Sequence, residues 1–168
     1  VRLLLGRGSI QPPAYLETLE IADFNNYKQL LLNQIEKHQT DWGIFTAAVA
    51  DYEPESVFDG KWQSLDQEKR LKLVPTPKVI EEVKKRFPRI NQVPFKYEEG
   101  VSHQELMKIA QGRLESGSHR ILVANRGDEF LENGEQVAWI LSPDIEPQRV
   151  IGKKQIASAL LDRIETFT

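Results

Sequence analysis

The chain has 168 residues, of which 40% are apolar and 28% charged, a balance typical of a folded globular domain. Its net charge of −3 gives no electrostatic reason to expect nucleic acid or an anionic membrane as a partner. The absence of cysteine excludes disulfide scaffolds, thiolate metal sites and cysteine nucleophiles, and it agrees with a reducing, cytoplasmic location.

The first elements of the chain alternate between strand and helix patterns. Residues 2–5 form a short apolar run that ends at a glycine turn, and residues 16–21 indicate a second short strand. Helical spacing of apolar residues begins at Asn25. The continuous apolar run of residues 43–49 predicts a strand in the middle of a parallel sheet.

A long polar loop, residues 53–68, follows this strand and has the length of a functional or mobile loop. Residues 70–74 alternate like a strand. Thr76 and Pro77 then predict a helix start, with threonine as the cap and proline in the first turn. The apolar face of this helix is formed by Ile80, Val83 and Phe87.

The next strand and helix repeat this scheme. Residues 93–95 indicate a short strand. Ser102 and Glu105 form a capping box that opens a helix. The predicted inward stripe of this helix consists of Leu106, Ile109, Ala110 and Leu114.

The last third of the chain predicts strands at residues 121–124 and 136–141 and a helix at residues 154–167. The inward residues of that helix are expected to be Ile156, Leu160, Leu161 and Ile164. Strands that alternate with helices predict an α/β, Rossmann-like, three-layer fold with a mostly parallel sheet. Because the chain opens within a strand, we expect one domain over residues 1–168 that is truncated at its N-terminus.

In such sheets, ligands bind beyond the carboxyl ends of the strands. The segments to consider are therefore residues 50–52, 75–78, 95–98 and 125–126, and we expect all four to meet at one crevice. Ala47 and Ala48 are small enough for a ring or a phosphate to approach the backbone. Asp51 can accept hydrogen bonds from a ribose or help hold Mg²⁺, or it can simply cap the next turn.

Three further candidates have equally plain structural alternatives. Thr76, Pro77 and Lys78 can bind phosphate at a helix N-terminus, or they can form an ordinary cap. Lys61 can neutralise a triphosphate, or it can be a solvent-exposed loop lysine. Phe95 can form a wall for a base or be part of the core.

Other sequence patterns exclude several classes of site. The histidines have no metal-ligand spacing, so we expect no metal-binding residues among them and place all three at the solvated surface: His38, His103 and His119. Neither a Walker loop nor a Ser-His-Asp order is present. A nicotinamide-dependent enzyme is disfavoured because no Gly-x-Gly-x-x-Gly motif follows a strand.

The string Thr46-Ala47-Ala48-Val49-Ala50-Asp51-Tyr52-Glu53-Pro54 resembles the Ala-Ala-Val-Ala/Ser-Asp-Tyr-x-Pro signature of the phosphopantothenate–cysteine ligases. Further segments resemble this family in the same order: Gly60-Lys61, residues 71–80, residues 93–95 and residues 123–125. The resemblance covers essentially the whole chain.

The resemblance implies a ligase of coenzyme A biosynthesis. CTP or ATP, with Mg²⁺, would activate 4′-phosphopantothenate as an acyl-nucleotide, and L-cysteine would then attack that intermediate. Lys61 is implied as the catalytic residue, and the family pattern also implies a homodimer, for which residues 129–141 are the candidate interface. The nucleotide-binding residues implied are Phe45, Thr46, Ala47, Asp51, Lys61, Pro77, Lys78, Val79, Ile80, Phe95 and Arg113.

The sequence also departs from the family pattern. Lys61 is followed by Trp62 and Gln63 where the family has Ile-Lys, Lys78 replaces an aspartate, and Arg126 replaces another aspartate. The Gly-Gly-Thr loop and the Asn-x-Ser-Ser-Gly segment, which in the family bind phosphopantothenate and the acyl intermediate, are expected upstream of Val1. A non-catalytic relative that serves as a nucleotide-binding or dimerisation module is therefore the alternative function.

Overall fold

The structure is a computed structural model that describes residues 1–61, 68, 70–117 and 119–167. Its elements are β1 (Arg2–Gly6), β2 (Glu17–Ile21), α1 (Phe24–Lys37), β3 (Trp42–Phe45), β4 (Tyr52–Pro54), β5 (Leu73–Pro75), α2 (Val79–Arg86), β6 (Asn91–Glu98), α3 (His103–Gly117), β7 (Leu122–Arg126), β8 (Val137–Ser142), β9 (Ile145–Ile151) and α4 (Gly152–Glu165). In the part of the chain that the structure describes, no helix is both long and apolar enough to cross a membrane.

The chain divides into two compact units. The ribbon unit consists of Val1–Gln39 and Ala47–Arg86, and the sheet unit consists of Thr40–Thr46 and Phe87–Thr168. A single domain over residues 1–168 stays a prediction.

The sheet unit contains a five-stranded sheet in the order β3-β6-β7-β8-β9. β3, β6 and β7 are parallel, whereas β8 and β9 continue the sheet antiparallel. The α/β, Rossmann-like fold is confirmed, and the antiparallel edge is a departure from the simple strand and helix alternation. β9 was not predicted from the sequence, because its residues 145–149 are all exposed and show no alternation of apolar and polar side chains.

Two hydrophobic clusters cover opposite faces of this sheet, since neighbouring residues of one strand point to opposite sides. The cluster on one face combines residues of the sheet with residues of α4: Val93, Ile121, Val123, Ala138, Ile140, Val150, Ala159 and Leu160. The cluster on the other face combines residues of the sheet with residues of α3: Leu106, Ala110, Leu114, Leu122, Ala124 and Leu141. The predicted three layers are therefore present within the sheet unit.

Two residues that were expected to point inward do not. Ile109 of α3 is 36% exposed and Leu161 of α4 is 56% exposed, because each lies just outside the stripe that faces the sheet. The capping box of α3 is confirmed: the Ser102 N–H donates to Glu105 Oε2 at 2.8 Å, and the Glu105 N–H donates to Ser102 Oγ at 3.2 Å.

The ribbon unit begins with β1 and β2, which pair in parallel. Helix α1 packs on both strands, and its cap residue Asp23 accepts the N–H of Asn26 at 2.8 Å. Lys28 of α1 forms an ion pair with Glu82 of α2 at 2.9 Å. The unit also contains an antiparallel ribbon, in which β4 pairs with β5.

Three predicted boundaries around this ribbon are wrong. The strand expected at residues 43–49 ends at Phe45, since the alanines that follow have a weak preference for strands. Residues 46–50 are exposed. The loop expected from Glu53 begins instead as strand β4. Helix α2 begins at Val79 and ends at Arg86, so that Phe87 is not part of its apolar face.

Candidate functional site

Thr76 links the two chain segments at one end of the ribbon. Its N–H donates to the carbonyl oxygen of Asp51 at 2.9 Å, and its hydroxyl donates to the carbonyl oxygen of Ala50 at 2.5 Å. The side chain is only 6% exposed. Thr76 is therefore not the helix cap that its position suggested, because its hydroxyl holds the chain at Ala50 in place instead.

Asp51 and Lys78 form an ion pair with 2.5 Å between Oδ1 and Nζ. The carbonyl oxygen of Lys78 accepts the N–H groups of Glu81 and Glu82, which places Lys78 at the start of α2. Both side chains of the pair remain open to solvent, at 68% for Asp51 and 53% for Lys78. The arrangement therefore presents a carboxylate, an ammonium group and a helix N-terminus at one exposed position.

The other predicted site residues of the ribbon unit differ in exposure. Ala47, Pro77 and Lys61 are exposed, and Lys61 follows Gly60, whose φ of 109° favours glycine. Val79 is buried and Ile80 is partly buried, so the side chain of Val79 belongs to the core of this unit. Trp62 and Gln63, which follow Lys61, lie outside the described residues.

A second ion pair closes the base of the loop that contains Lys61. The Glu55 N–H donates to the carbonyl oxygen of Lys72 at 3.0 Å, and Lys72 Nζ lies 2.5 Å from Glu55 Oε1. This pair was not predicted from the sequence, although opposite charges at the two ends of a long loop are a signal that could have revealed it. The pair extends the ribbon by one residue on each strand.

In the sheet unit, Phe45 is partly buried at the end of β3, and Thr46 is exposed just after it. Phe95 packs against the α4 side of the core, which favours the core alternative over an aromatic wall. Arg113 is partly buried on α3.

The carboxyl ends of β6 and β7 are held together by hydrogen bonds and ion pairs. Asn125 and Arg126, which were expected to follow the strand, are the last residues of β7. Arg126 is 18% exposed in its side chain, and it donates to the carbonyl oxygen of Val101 at 2.7 Å and to Glu129 at 3.2 Å. The guanidinium group thus has a structural role between two loops.

Tyr97 lies at the same edge of the sheet. Its hydroxyl donates to Glu99 Oε1 at 2.5 Å, and this hydrogen bond holds the pKa of Tyr97 above its ordinary value. A Cβ at Gly127 would come within 2.2 Å of the tyrosine oxygen, so any other residue there would require Tyr97 to move.

The four predicted segments form two pairs of neighbours, one pair in each unit. In the ribbon unit, Tyr52 pairs with Pro75, and in the sheet unit Tyr97 pairs with Asn125. A single crevice formed by all four segments stays a prediction.

One histidine prediction is wrong: His119 is buried, at 7% exposure.

The donors for a metal are few. Among the described residues, no group of three or more histidine, cysteine, aspartate or glutamate side chains could hold a metal ion. Since Asp51 faces an ammonium group, the residues around it do not fit a protein-bound Mg²⁺.

The fold defines a Rossmann-like α/β protein with a polar ribbon inserted before β6. The chain belongs to the DNA/pantothenate metabolism flavoprotein C-terminal domain family, whose sequence model matches residues 1–167. This match confirms the resemblance that rested on residues 46–54.

Individual relatives and solved structures are also similar to this chain. The chain is 28% identical over 166 residues to the coenzyme A biosynthesis bifunctional protein CoaBC of Thermococcus kodakarensis. This match covers 98% of the chain but only 40% of that protein. The solved DNA/pantothenate metabolism flavoprotein of Streptococcus pneumoniae has a TM-score of 0.83 and 23% identity, over 99% of this chain and 81% of that chain. A Cab2 variant in complex with phosphopantothenate-cysteine has a TM-score of 0.66 and 19% identity, over 89% and 53% of the two chains.

Proposed function

We propose that the chain is the ligase part of a phosphopantothenate–cysteine ligase in coenzyme A biosynthesis. It would activate 4′-phosphopantothenate with CTP or ATP as an acyl-nucleotide and couple it to L-cysteine. Support comes from the family match and from the CoaBC relative. The Cab2 neighbour in complex with phosphopantothenate-cysteine has the same fold.

The observation that carries the proposal is the contact between two distant segments of the sequence. Both segments resemble the family, and the hydrogen bonds of Thr76 to Ala50 and Asp51 join them. The ion pair between Asp51 and Lys78 completes this junction. Asp51 and Lys78, two of the residues that the resemblance assigns to nucleotide binding, are thus neighbours in space.

The chemistry needs positive charge and accurate positioning. A carboxylate oxygen of phosphopantothenate attacks the α-phosphorus of the nucleotide, and pyrophosphate leaves. The amine of cysteine then attacks the acyl carbon, the nucleoside monophosphate leaves, and the amine loses a proton. We assign Lys61 to the phosphates during the first step because it is an exposed cation on a loop. Mg²⁺ would enter as the counter-ion of the triphosphate.

The resemblance assigns the remaining contacts to the nucleotide. Phe45, Thr46, Ala47 and Asp51 would contact the nucleoside, and Lys78 would contact its phosphates. Pro77 would line the pocket, and residues 78–80 would contribute backbone N–H groups from the start of α2. Phe95 and Arg113 are further candidates by resemblance.

Pyrophosphate release by the full-length protein, with its native upstream region, tests the proposal. Release from CTP or ATP should require phosphopantothenate, and the acyl-nucleotide should accumulate when cysteine is left out. Comparison of kcat/KM for the two nucleotides decides the preference. Triphosphate turnover that is indifferent to phosphopantothenate would disprove the proposal.

A non-catalytic module remains the second candidate because of the Arg126 geometry. Where the family pattern has an aspartate, this side chain is engaged with Val101 and Glu129. Calorimetry with CTP and ATP separates the ligase from a dimerisation module without a nucleotide site, which would give no heat of binding. A nucleotide-binding module would bind but would release no pyrophosphate. A homodimer through residues 129–141 is part of either proposal, and sedimentation analysis tests it.

A further inference from the structure

The ion pair of Asp51 and Lys78 bears on the role of the metal in the proposed reaction. Resting on the proposed nucleotide site, we infer that the Lys78 ammonium group takes the place of a divalent cation beside Asp51. Asp51 is then the partner of a lysine and not a metal ligand, and Mg²⁺ is bound by the phosphates of the nucleotide alone. Lys78 thereby determines how strongly this site depends on metal.

The backbone on both sides of the pair is fixed, which makes the pairing a built feature of the ribbon. The carbonyl oxygens of Ala50 and Asp51 both accept hydrogen bonds from Thr76. The carbonyl oxygen of Lys78 accepts two N–H groups of α2. Since both chain segments are anchored within a few bonds of the charged groups, the 2.5 Å contact is favoured by the fold.

The donor set around Asp51 is poor for Mg²⁺. Residues 50–52 and 75–80 contain a single carboxylate, that of Asp51. Magnesium requires about six oxygen ligands in octahedral geometry and usually takes one or two carboxylates from the protein. An ammonium group in contact with the first carboxylate repels a divalent cation that approaches it.

The residue type at position 78 is where this chain departs from the family pattern it resembles, which has aspartate there. An aspartate at this position would put two carboxylates next to each other, whereas lysine gives a carboxylate and an ammonium group. The local charge differs by two units between these arrangements. The substitution Lys78→Asp therefore restores the residue type of the family pattern and removes the ion pair on which the inference rests.

The pair is also suited to exchange partners when a triphosphate arrives. The Lys78 side chain is 53% exposed, so its ammonium group can turn from Asp51 to a phosphate oxygen without unfolding the ribbon. The Asp51 carboxylate can then accept a hydrogen bond from a ribose hydroxyl. Such charged hydrogen bonds to phosphate are stronger than neutral ones.

Manganese binding, measured by electron paramagnetic resonance without nucleotide, tests the metal part directly. Lys78→Asp should gain a site at least ~10-fold tighter than any in the wild type, as expected when a second carboxylate replaces a cation. The further change Asp51→Asn should abolish that site. Wild-type manganese binding that is lost in Asp51→Asn would overturn the inference, and so would a Lys78→Asp variant without the gain.

Nucleotide calorimetry in EDTA and in excess Mg²⁺ tests the binding part. Lys78→Met should weaken binding in EDTA about tenfold, the size expected for one charged hydrogen bond. Lys85→Met, an exposed lysine of the same helix, is the matched control and should bind as the wild type does. Equal affinity of wild type and Lys78→Met in EDTA would overturn the inference. Absence of nucleotide binding in the wild type would instead disprove the proposed function, and the manganese experiment would still judge the role of Lys78.

Discussion

The sheet unit and the ribbon are stabilised by different forces. The sheet has a hydrophobic cluster on each face, and several side chains within it are completely buried, such as Leu106, Leu122 and Ile140. The ribbon and the start of α2 are held by backbone hydrogen bonds, the Thr76 contacts and two exposed ion pairs. Apolar burial stabilises far more than exposed ion pairs do, so we expect most of the folding free energy to lie in the sheet.

This difference has a consequence for function. The exposed side chains of the candidate site are not constrained by packing, so their types can be selected for the nucleotide that we propose they bind. Lys61, Asp51 and Lys78 are all exposed, and changing them should alter activity and leave stability nearly untouched. The comparison fails if a change in one region produces the effect expected for the other.

The largest expected effect is on stability. Leu122→Ala removes a fully buried side chain from the α3 face of the sheet and should lower the free energy of unfolding by about 2–5 kcal/mol. Leu161→Ala is the matched control, because this leucine is 56% exposed and its loss should cost less than about 0.5 kcal/mol. Urea denaturation measures both, and equal losses would show that the α3 face is not the main core.

The next effect is on activity. Lys61→Ala should reduce pyrophosphate release by the full-length protein about 100-fold, since one charged group at the transition state is lost. The melting temperature should not change, because Lys61 is exposed. Lys108→Ala, an exposed lysine on α3, serves as control. Unfolding of the Lys61 variant together with normal pyrophosphate release would refute the assigned role.

The sequence predicted the sheet unit better than the ribbon. Strands such as β7 are marked by continuous burial, and α3 is marked by its capping box, both of which are local patterns. Errors arose where packing decides: Ile109 and Leu161 fit the helical period and are nevertheless exposed. Whether a residue at the margin of the stripe is buried depends on the breadth of the sheet, which no local pattern contains.

The candidate site was predicted in its residues and not in its geometry. Asp51 and Lys78 were both singled out, but their contact depends on the pairing of β4 with β5 across a long loop. Thr76 was predicted as a cap because Thr-Pro is a common helix start, whereas its hydroxyl donates to Ala50, which is distant in sequence. Long-range hydrogen bonds of this kind leave no periodic trace in the sequence.

A smaller effect on stability is expected from the capping box. Ser102→Ala removes the hydroxyl that accepts the Glu105 N–H and should lower the free energy of unfolding by about 1 kcal/mol. Ser116→Ala, an exposed position of the same helix, is the control and should be neutral or slightly stabilising, because alanine is the better helix former. Thermal unfolding of both variants measures the difference. Equal shifts would mean that the cap contributes nothing to α3.

The smallest effect concerns pH and the same capping box. Hydrogen bonds from the Ser102 N–H and hydroxyl hold the pKa of Glu105 below its ordinary value of 4.5. The folded protein therefore binds this proton less readily than the unfolded chain, so the stabilisation is complete above that value and is lost as the pH falls through the lowered pKa. Glu105→Gln keeps an acceptor for Ser102 but cannot titrate. The wild type should melt slightly above Glu105→Gln at pH 7, and the difference should vanish at acidic pH, whereas a difference that stays constant with pH would show that the charge of Glu105 does not stabilise α3.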